Sequence, residues 1–266
     1  DSLGEALQAK QHLKCQLRRA FEEQEFEVWY QPLVSTHKRR ILGFEALLRW
    51  KHPELGLMLP ASFIPAAEES GIILHIGEWV IRRACENLQR WRTQYDADLR
   101  VAVNVSALQF ENPRFPHAIE TILSESGLPP ACLELDLAES IVIRNTSETA
   151  RPLEKLEALG IRLAIDDFAT SYSSLRYLQK LPIDTVKLDR AFVQGIDEQR
   201  ALRLLAESVI MTARERGLQV LAEGVQTRHE WDTLCELECH AAQGYFLSRP
   251  LPVNQIEEFL VAHRVQ

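Results

Sequence analysis

No stretch of the 266 residues approaches the roughly 18 consecutive apolar residues that a membrane-crossing helix needs. Basic residues are the minority: 30 Lys and Arg against 38 Asp and Glu leave a net charge of −8. A nonspecific binder of duplex nucleic acid presents a basic face, so that class is disfavoured. An anionic ligand would need cations or locally placed arginines to offset the field. Cysteine is sparse and odd in number: Cys15, Cys85, Cys132, Cys235 and Cys239 are scattered among apolar neighbours. That pattern suits reduced thiols in the cytoplasm better than a disulfide framework. Cys235, Cys239 and His240 have a loosely metal-like spacing, but a helical turn with two packed thiols is the simpler reading. The chain opens at Asp1 without a signal-peptide pattern, so it reads as a piece of something longer, and a cytoplasmic domain at the cytosolic end of a membrane protein is compatible with this.

What is present is a repeat of apolar runs and turn signals. Strands are predicted at 26–34, 41–49, 101–105, 132–137, 161–166, 184–188, 218–223 and 240–246. Only Ser35–Arg40 separates the first two, which predicts an antiparallel pair. Helical patterns at 76–94, 145–159, 196–216 and 227–238 separate later strands, and such alternation implies parallel pairing with helices outside. Length alone admits one large barrel or two small domains. Eight strands favour an α/β fold, a TIM-like (β/α)8 barrel with the first strand antiparallel. An open doubly wound sheet is the competing architecture, but no glycine-rich phosphate loop follows any predicted strand. Residues 1–22, with Leu3, Leu7, Leu13, Leu17 and Phe21 at near-helical spacing, precede the repeat. They read as a connector helix, with the barrel domain at 23–266.

Each strand carries or precedes a polar residue: Glu45, Asn104, Asp136, Asp166 with Asp167, Lys187, Glu223 and Gln243. A lone acid in an apolar strand is usually a solvated alternation position. Seven consecutive strands each supplying a polar group at a similar place point instead to the C-terminal rim of a barrel, where active sites are assembled. Five carboxylates converging there repel, and cations are the simplest remedy. Oxygen ligands with one amide favour Mg²⁺ or Mn²⁺ over zinc. The Asp166–Asp167 pair suits two ions about 4 Å apart, the usual arrangement for attacking a phosphodiester.

Several blocks, in order and spacing, make this sequence resemble the EAL-domain family, bacterial phosphodiesterases that open cyclic di-GMP to linear pGpG. Glu-Ala-Leu itself occurs at 5–7, 45–47 and 157–159, and the outer two copies lie in helical patterns where three good helix formers arise by chance. The middle copy sits within Tyr30-Gln31-Pro32 and Gly43-Phe44-Glu45-Ala46-Leu47-Leu48-Arg49-Trp50. Asn104-Val105-Ser106, Asp166-Asp167-Phe168, Tyr172-Ser173-Ser174-Leu175, Val186-Lys187-Leu188-Asp189, Ala222-Glu223-Gly224-Val225 and Gln243-Gly244-Tyr245-Phe246 follow. The resemblance covers about residues 26–252.

It implies that Glu45, Asn104, Asp136 and Asp166 hold one ion, with Asp166 shared and Asp167 serving a second. It further implies that Lys187 orients the attacking water, while Glu223 acts as general base or supports the second ion. Arg49 would reach a ligand phosphate with Gln31 nearby; Leu47, Asn104, Asp167, Gln243 and Tyr245 would complete the cyclic di-GMP site. Glu139 would anchor the loop that couples metal binding to dimerisation, so a homodimer is expected, with a sensory or diguanylate cyclase-like domain upstream. Three departures bear on turnover. Asp136-Leu137-Ala138-Glu139 stands where the family usually reads Glu-Leu-Thr-Glu, Ala169 and Ser171 replace loop glycines, and Gln226 replaces a common glutamate. These departures favour a second reading, a noncatalytic cyclic di-GMP receptor. A protein–protein interaction module would leave the buried acids without a role.

Overall fold

A computed structural model describes residues 2–143, 147–168 and 181–263, with side chains from Gln11 onward except at 143 and 147–150. Ten strands form: β1 (Phe26–Ser35), β2 (Ile41–His52), β3 (Gly56–Met58), β4 (Arg100–Val105), β5 (Leu133–Ala138), β6 (Arg162–Phe168), β7 (Thr185–Leu188), β8 (Gln219–Ala222), β9 (Ala241–Ala242) and β10 (Leu251–Pro252). The six-residue link from 35 to 40 folds β1 back on β2 from Phe26↔Trp50 to Leu33↔Gly43. Parallel pairing then runs β2–β4–β5–β6–β7–β8–β9. The ring closes where β9 meets β1 antiparallel, so β1 runs against both neighbours, as its short link to β2 requires. The result is an eight-stranded (β/α) barrel, with β3 and β10 as additions to its edges.

Helices cover the outside at 73–94, 115–126, 147–158, 200–214, 228–236 and 253–262. The first buries Ile76, Val80, Ala84, Leu88 and Trp91 at helical spacing. Trp91 packs edge-on to Tyr30 at 4.8 Å and tilted against Phe44 at 5.2 Å, fastening this helix to β1 and β2. Helix Ser2–Glu22 lies outside the repeat, and its Leu17 and Ala20 are fully buried in the main core.

One expected element is much shorter than read: only Ala241 and Ala242 of 240–246 form a strand. The chain then turns sharply at Gly244, where a Cβ would fall 2.1 Å from the Val225 carbonyl oxygen. Gln243 therefore stands just past the strand end. The strand expected from Cys132 begins at Leu133, because Pro130–Cys132 form a 3₁₀ turn. The expected loop positions Ala169 and Ser171 and the block 172–175 lie outside the described residues.

Side chains pointing into the barrel form layers, as closed parallel barrels require. At the N-terminal end of the parallel strands, Thr185 donates to Glu134 at 2.7 Å, Arg162 pairs with Glu134 at 3.1 Å, and Arg100 donates to Gln219 at 2.8 Å. Above them Leu33, Ala102, Leu221 and Ala241 form an apolar plug separate from the main core. The acids predicted for the site occupy the mouth above the plug.

Gly43 is fixed by close approach, since a Cβ there would fall 1.9 Å from the Arg100 carbonyl oxygen on β4. Gly43→Ala should therefore part β2 from β4 and cost about 1–3 kcal/mol in urea unfolding, the range for forced overpacking. An unchanged midpoint would show that the two strands separate freely.

Candidate active site

Alternation decides which side chains reach the mouth. On β2, Glu45, Leu47 and Arg49 share the inward face, and Glu45 lies opposite Gln31 of β1. Asn104 of β4 is in register with Asp136 of β5, while Asp166 is in register with Ala138. Lys187 lies near the end of β7, and Glu223 and Gln243 lie just beyond β8 and β9. Side chains from seven strands thus meet at one end of the barrel.

The centre of the cluster is the Lys187 ammonium, only 1% exposed. Its Nζ lies 2.7 Å from Glu223, 3.0 Å from Asp136, and 3.5 Å from both Glu45 and Asp166. Two amides complete the ring: Asn104 donates to Glu45 at 2.7 Å, and Gln243 donates to Glu45 at 2.7 Å and to Glu223 at 2.9 Å. Asp167 adopts a left-handed backbone (φ 54°), uncommon for a non-glycine residue, and its N–H donates to Asp166 at 2.9 Å. Its side chain is exposed beside the cluster.

Burial dominates the electrostatics. Desolvation raises the Asp136 carboxyl well above its ordinary value, against the opposing pull of Lys187. Desolvation also pushes Glu223 up to about 8, and the nearby Asp166 and Glu45 charges add to the shift. Asp167 is raised by burial and by Asp166. Burial alone would lower Lys187, but Asp136, Asp166, Glu223 and Glu45 together outweigh it and hold the ammonium well above its ordinary value.

The donor set suits a hard cation. Among the described residues, Asp136 Oδ1 and Gln243 Oε1 are buried oxygens with no hydrogen-bond partner, and buried acceptors of this kind call for a ligand or ion. As placed, no three His, Cys, Asp or Glu side chains among the described residues converge on one point as a metal requires. Lys187 stands between them, so an ion would have to share these oxygens with it. The cysteines show no metal geometry: Cys235 donates to the Thr36 carbonyl at 3.7 Å and Cys239 to Ala241 at 3.4 Å, and all five are unpaired.

Around this centre Arg49 is buried, donates to the Leu48 carbonyl at 2.8 Å and lies 5.8 Å over the Trp29 ring. Among the described residues it forms no ion pair, which leaves its charge for a ligand. Gln31 donates to the Ser248 carbonyl at 3.1 Å and so ties the 243–249 segment to β1. Tyr245 is exposed, with the Arg249 guanidinium 4.4 Å from its ring. Glu139 is buried at the start of helix 139–143, and the loop it was expected to anchor lies outside the described residues.

Sequence reading missed a cavity of about 310 Å³ that opens beside Leu47 and Asn104 and is lined further by Pro60, Ile64, Glu68 and Gln109. Only the Ser106–Gln109 capping box signalled that the chain turns here. Its walls come from helices 64–70 and 73–94, which pattern alone does not bring together.

Comparison with known proteins accords with this geometry. The EAL domain profile matches residues 14–250, and the chain belongs to the EAL-domain family. It is 39% identical over 260 residues to the cyclic di-GMP phosphodiesterase NbdA of Pseudomonas aeruginosa, covering 97% of this chain and 33% of that protein. It is 37% identical over 255 residues to the bifunctional diguanylate cyclase/cyclic di-GMP phosphodiesterase MucR of the same organism, covering 96% and 37%. The solved MucR phosphodiesterase in complex with cyclic di-GMP superposes with a TM-score of 0.88 at 38% identity, covering 92% of this chain and 99% of that one. The chain spans about a third of the length of these curated relatives.

The raised Glu223 carboxyl predicts a pH dependence of stability when divalent ions are chelated. The folded state holds this proton up to about pH 8, whereas an unfolded glutamate releases it near its ordinary 4.5. The contribution of Glu223 to stability is therefore fully present below 4.5 and is lost as pH rises through about 8. Thermal melts in a chelator should show that decline, and Glu223→Gln should flatten it; a Gln variant with the wild-type slope would remove the assignment.

Proposed function

We propose that this domain is a divalent-cation-dependent phosphodiesterase that hydrolyses cyclic di-GMP to linear pGpG. The observation that carries the reading is the buried ring of carboxylates about Lys187, with two unpartnered oxygens inside it and an unpaired arginine at its edge. Glu45, Asn104, Asp136 and Asp166 would hold the first of two ions, Mg²⁺ or Mn²⁺, with Asp166 shared and Asp167 serving the second. Such ions supply a nucleophilic water at neutral pH and stabilise charge on a phosphoryl group. Lys187 orients that water and steadies the phosphate. Glu223, which burial keeps protonated up to about pH 8 in the ion-free ring, would accept the water's proton once bound ions favour its ionised form. Arg49, assisted by Gln31, holds a phosphate, a charge-assisted contact in a partly desolvated place. Leu47, Asn104 and the adjoining cavity receive a base; Gln243 and Tyr245 line the same rim.

The wider assignment is part of this proposal. Leu204, Leu205 and Met211 project from helix 200–214, each more than half exposed, and offer apolar contacts for a homodimer. Glu139 anchors the loop that follows Asp167. Residues 1–22 act as connector to an upstream sensory or diguanylate cyclase-like domain, in keeping with the bifunctional name of MucR. The domain would act in the cytoplasm, a reading supported by the scattered, unpaired cysteines and by a cyclic dinucleotide substrate. Among the described residues no helix is long and apolar enough to cross a membrane.

A second reading, a noncatalytic cyclic di-GMP receptor, is favoured by one observation: Asp136, one methylene shorter, stands where the family usually has a glutamate. Incubation with cyclic di-GMP and Mn²⁺ decides between them. We expect pGpG to appear and to be abolished in a folded Glu45→Ala variant. Cyclic di-GMP binding without pGpG would establish the receptor, and near-wild-type turnover in Glu45→Ala would remove the metal assignment.

The shorter carboxylate also predicts metal preference. Mg²⁺ demands near-ideal octahedral geometry, whereas Mn²⁺ binds such ligands more tightly and tolerates a gap better. Turnover should be weak with Mg²⁺, stronger with Mn²⁺, and Asp136→Glu should raise the Mg²⁺-supported rate. Equal Mg²⁺ dependence in the two proteins would show that the barrel has already adjusted to aspartate.

A further inference from the structure

Lys187 is not simply near the acids; it already uses their oxygens. Its ammonium has three N–H donors, and four carboxylates crowd about it at 2.7–3.5 Å. At 1% exposure the group is shielded from bulk water. A divalent ion recruited to this ring would seek the same lone pairs of Glu45, Asp136, Asp166 and Glu223. Asp136 Oδ1 and Gln243 Oε1 are the oxygens such an ion could take without displacing a lysine contact.

We propose that Lys187 is a resident cation that competes with divalent ions for these oxygens and thereby sets how tightly the ions bind. The proposal rests on the divalent-ion reading above. Charge gives it a rationale: once ion binding has driven all five acids to their ionised forms, Glu45, Asp136, Asp166, Asp167 and Glu223 with one ammonium leave four negative charges, the complement of two divalent ions. A phosphodiester brings an anionic oxygen toward the same ammonium. Each lysine donor drawn to the phosphate frees a carboxylate oxygen for an ion. Binding of the ions and of the phosphodiester is then positively linked, and by reciprocity each strengthens the other. The lysine thus favours full loading with ions when substrate is present.

The consequence runs against the usual effect of removing a catalytic-site lysine. Lys187→Met keeps an unbranched side chain one atom shorter but removes the competitor and its positive charge. Mn²⁺ titrated calorimetrically into the variant should bind about tenfold tighter or better than into the wild type, a change of roughly 1.4 kcal/mol. A variant that folds only when Mn²⁺ is supplied would support the proposal equally, because the ion then replaces the ammonium as the ring's counter-charge. Equal or weaker Mn²⁺ affinity in Lys187→Met would overturn the proposal and leave the phosphodiesterase reading standing. A wild-type protein that binds no Mn²⁺ would overturn both. A measurement on the wild type needs no variant: the Lys187 ¹⁵Nζ signal should move during a Mg²⁺ titration with the midpoint of ion binding. A signal that stays fixed while Mg²⁺ binds would also overturn the proposal.

Discussion

The mouth of this barrel depends on one buried ammonium holding apart carboxylates that would otherwise repel. Two unit charges 4 Å apart interact by about 4 kcal/mol at an effective dielectric of about 20. Attraction to Lys187 and repulsion among Glu45, Asp136, Asp166 and Glu223 are therefore each large, and desolvation adds a further cost. The balance holds because the strands fix every partner: Lys187 on β7, Asp136 on β5, Glu45 on β2, and Glu223 just beyond β8. Removing the lysine leaves buried negative charge without compensation. Removing one acid leaves three carboxylates for the three ammonium donors but weakens the attraction that holds the charge in place.

The rest of the barrel interior supports that mouth. Leu33, Ala102, Leu221 and Ala241 separate it from the polar layer at the opposite end, where Glu134 is satisfied by Arg162 and Thr185. Glu134 and Asp136 lie two residues apart on one strand and on one face, yet they belong to different networks. The first has a guanidinium and a hydroxyl and is a structural ion pair. The second shares its cation with three other acids and keeps one oxygen unpartnered. An incompletely satisfied buried group of this kind marks a site prepared for a ligand rather than for stability.

Specificity is arranged around the acids by elements outside the parallel repeat. β1 runs antiparallel, so its N-terminal end brings Trp29 beneath Arg49 and its middle brings Gln31 opposite Glu45. Gln31 in turn holds the segment that presents Tyr245 and Arg249. Reversing one strand therefore lets side chains from before and after the repeat share the mouth with those from inside it.

Strand order, the reversed first strand and the rim acids were legible in the sequence, because inward-facing residues recur at fixed places in local apolar runs. The EAL-family motifs could likewise be read without coordinates. The sequence did not show that 240–246 shortens to two strand residues, since the cause is the close approach of Gly244 to Val225, a contact between distant segments. Nor did it place Pro60, Ile64, Glu68 and Gln109 around one cavity, because two helices must pack before those side chains meet. Lys187 was identifiable as one polar residue among eight, but its central place was not, because equal spacing along strands says nothing of which side chain reaches furthest inward. Local periodicity, set by backbone geometry, was enough to assign each residue to a face. Distances across the barrel, and with them the electrostatics of the acids, exist only once the ring has closed.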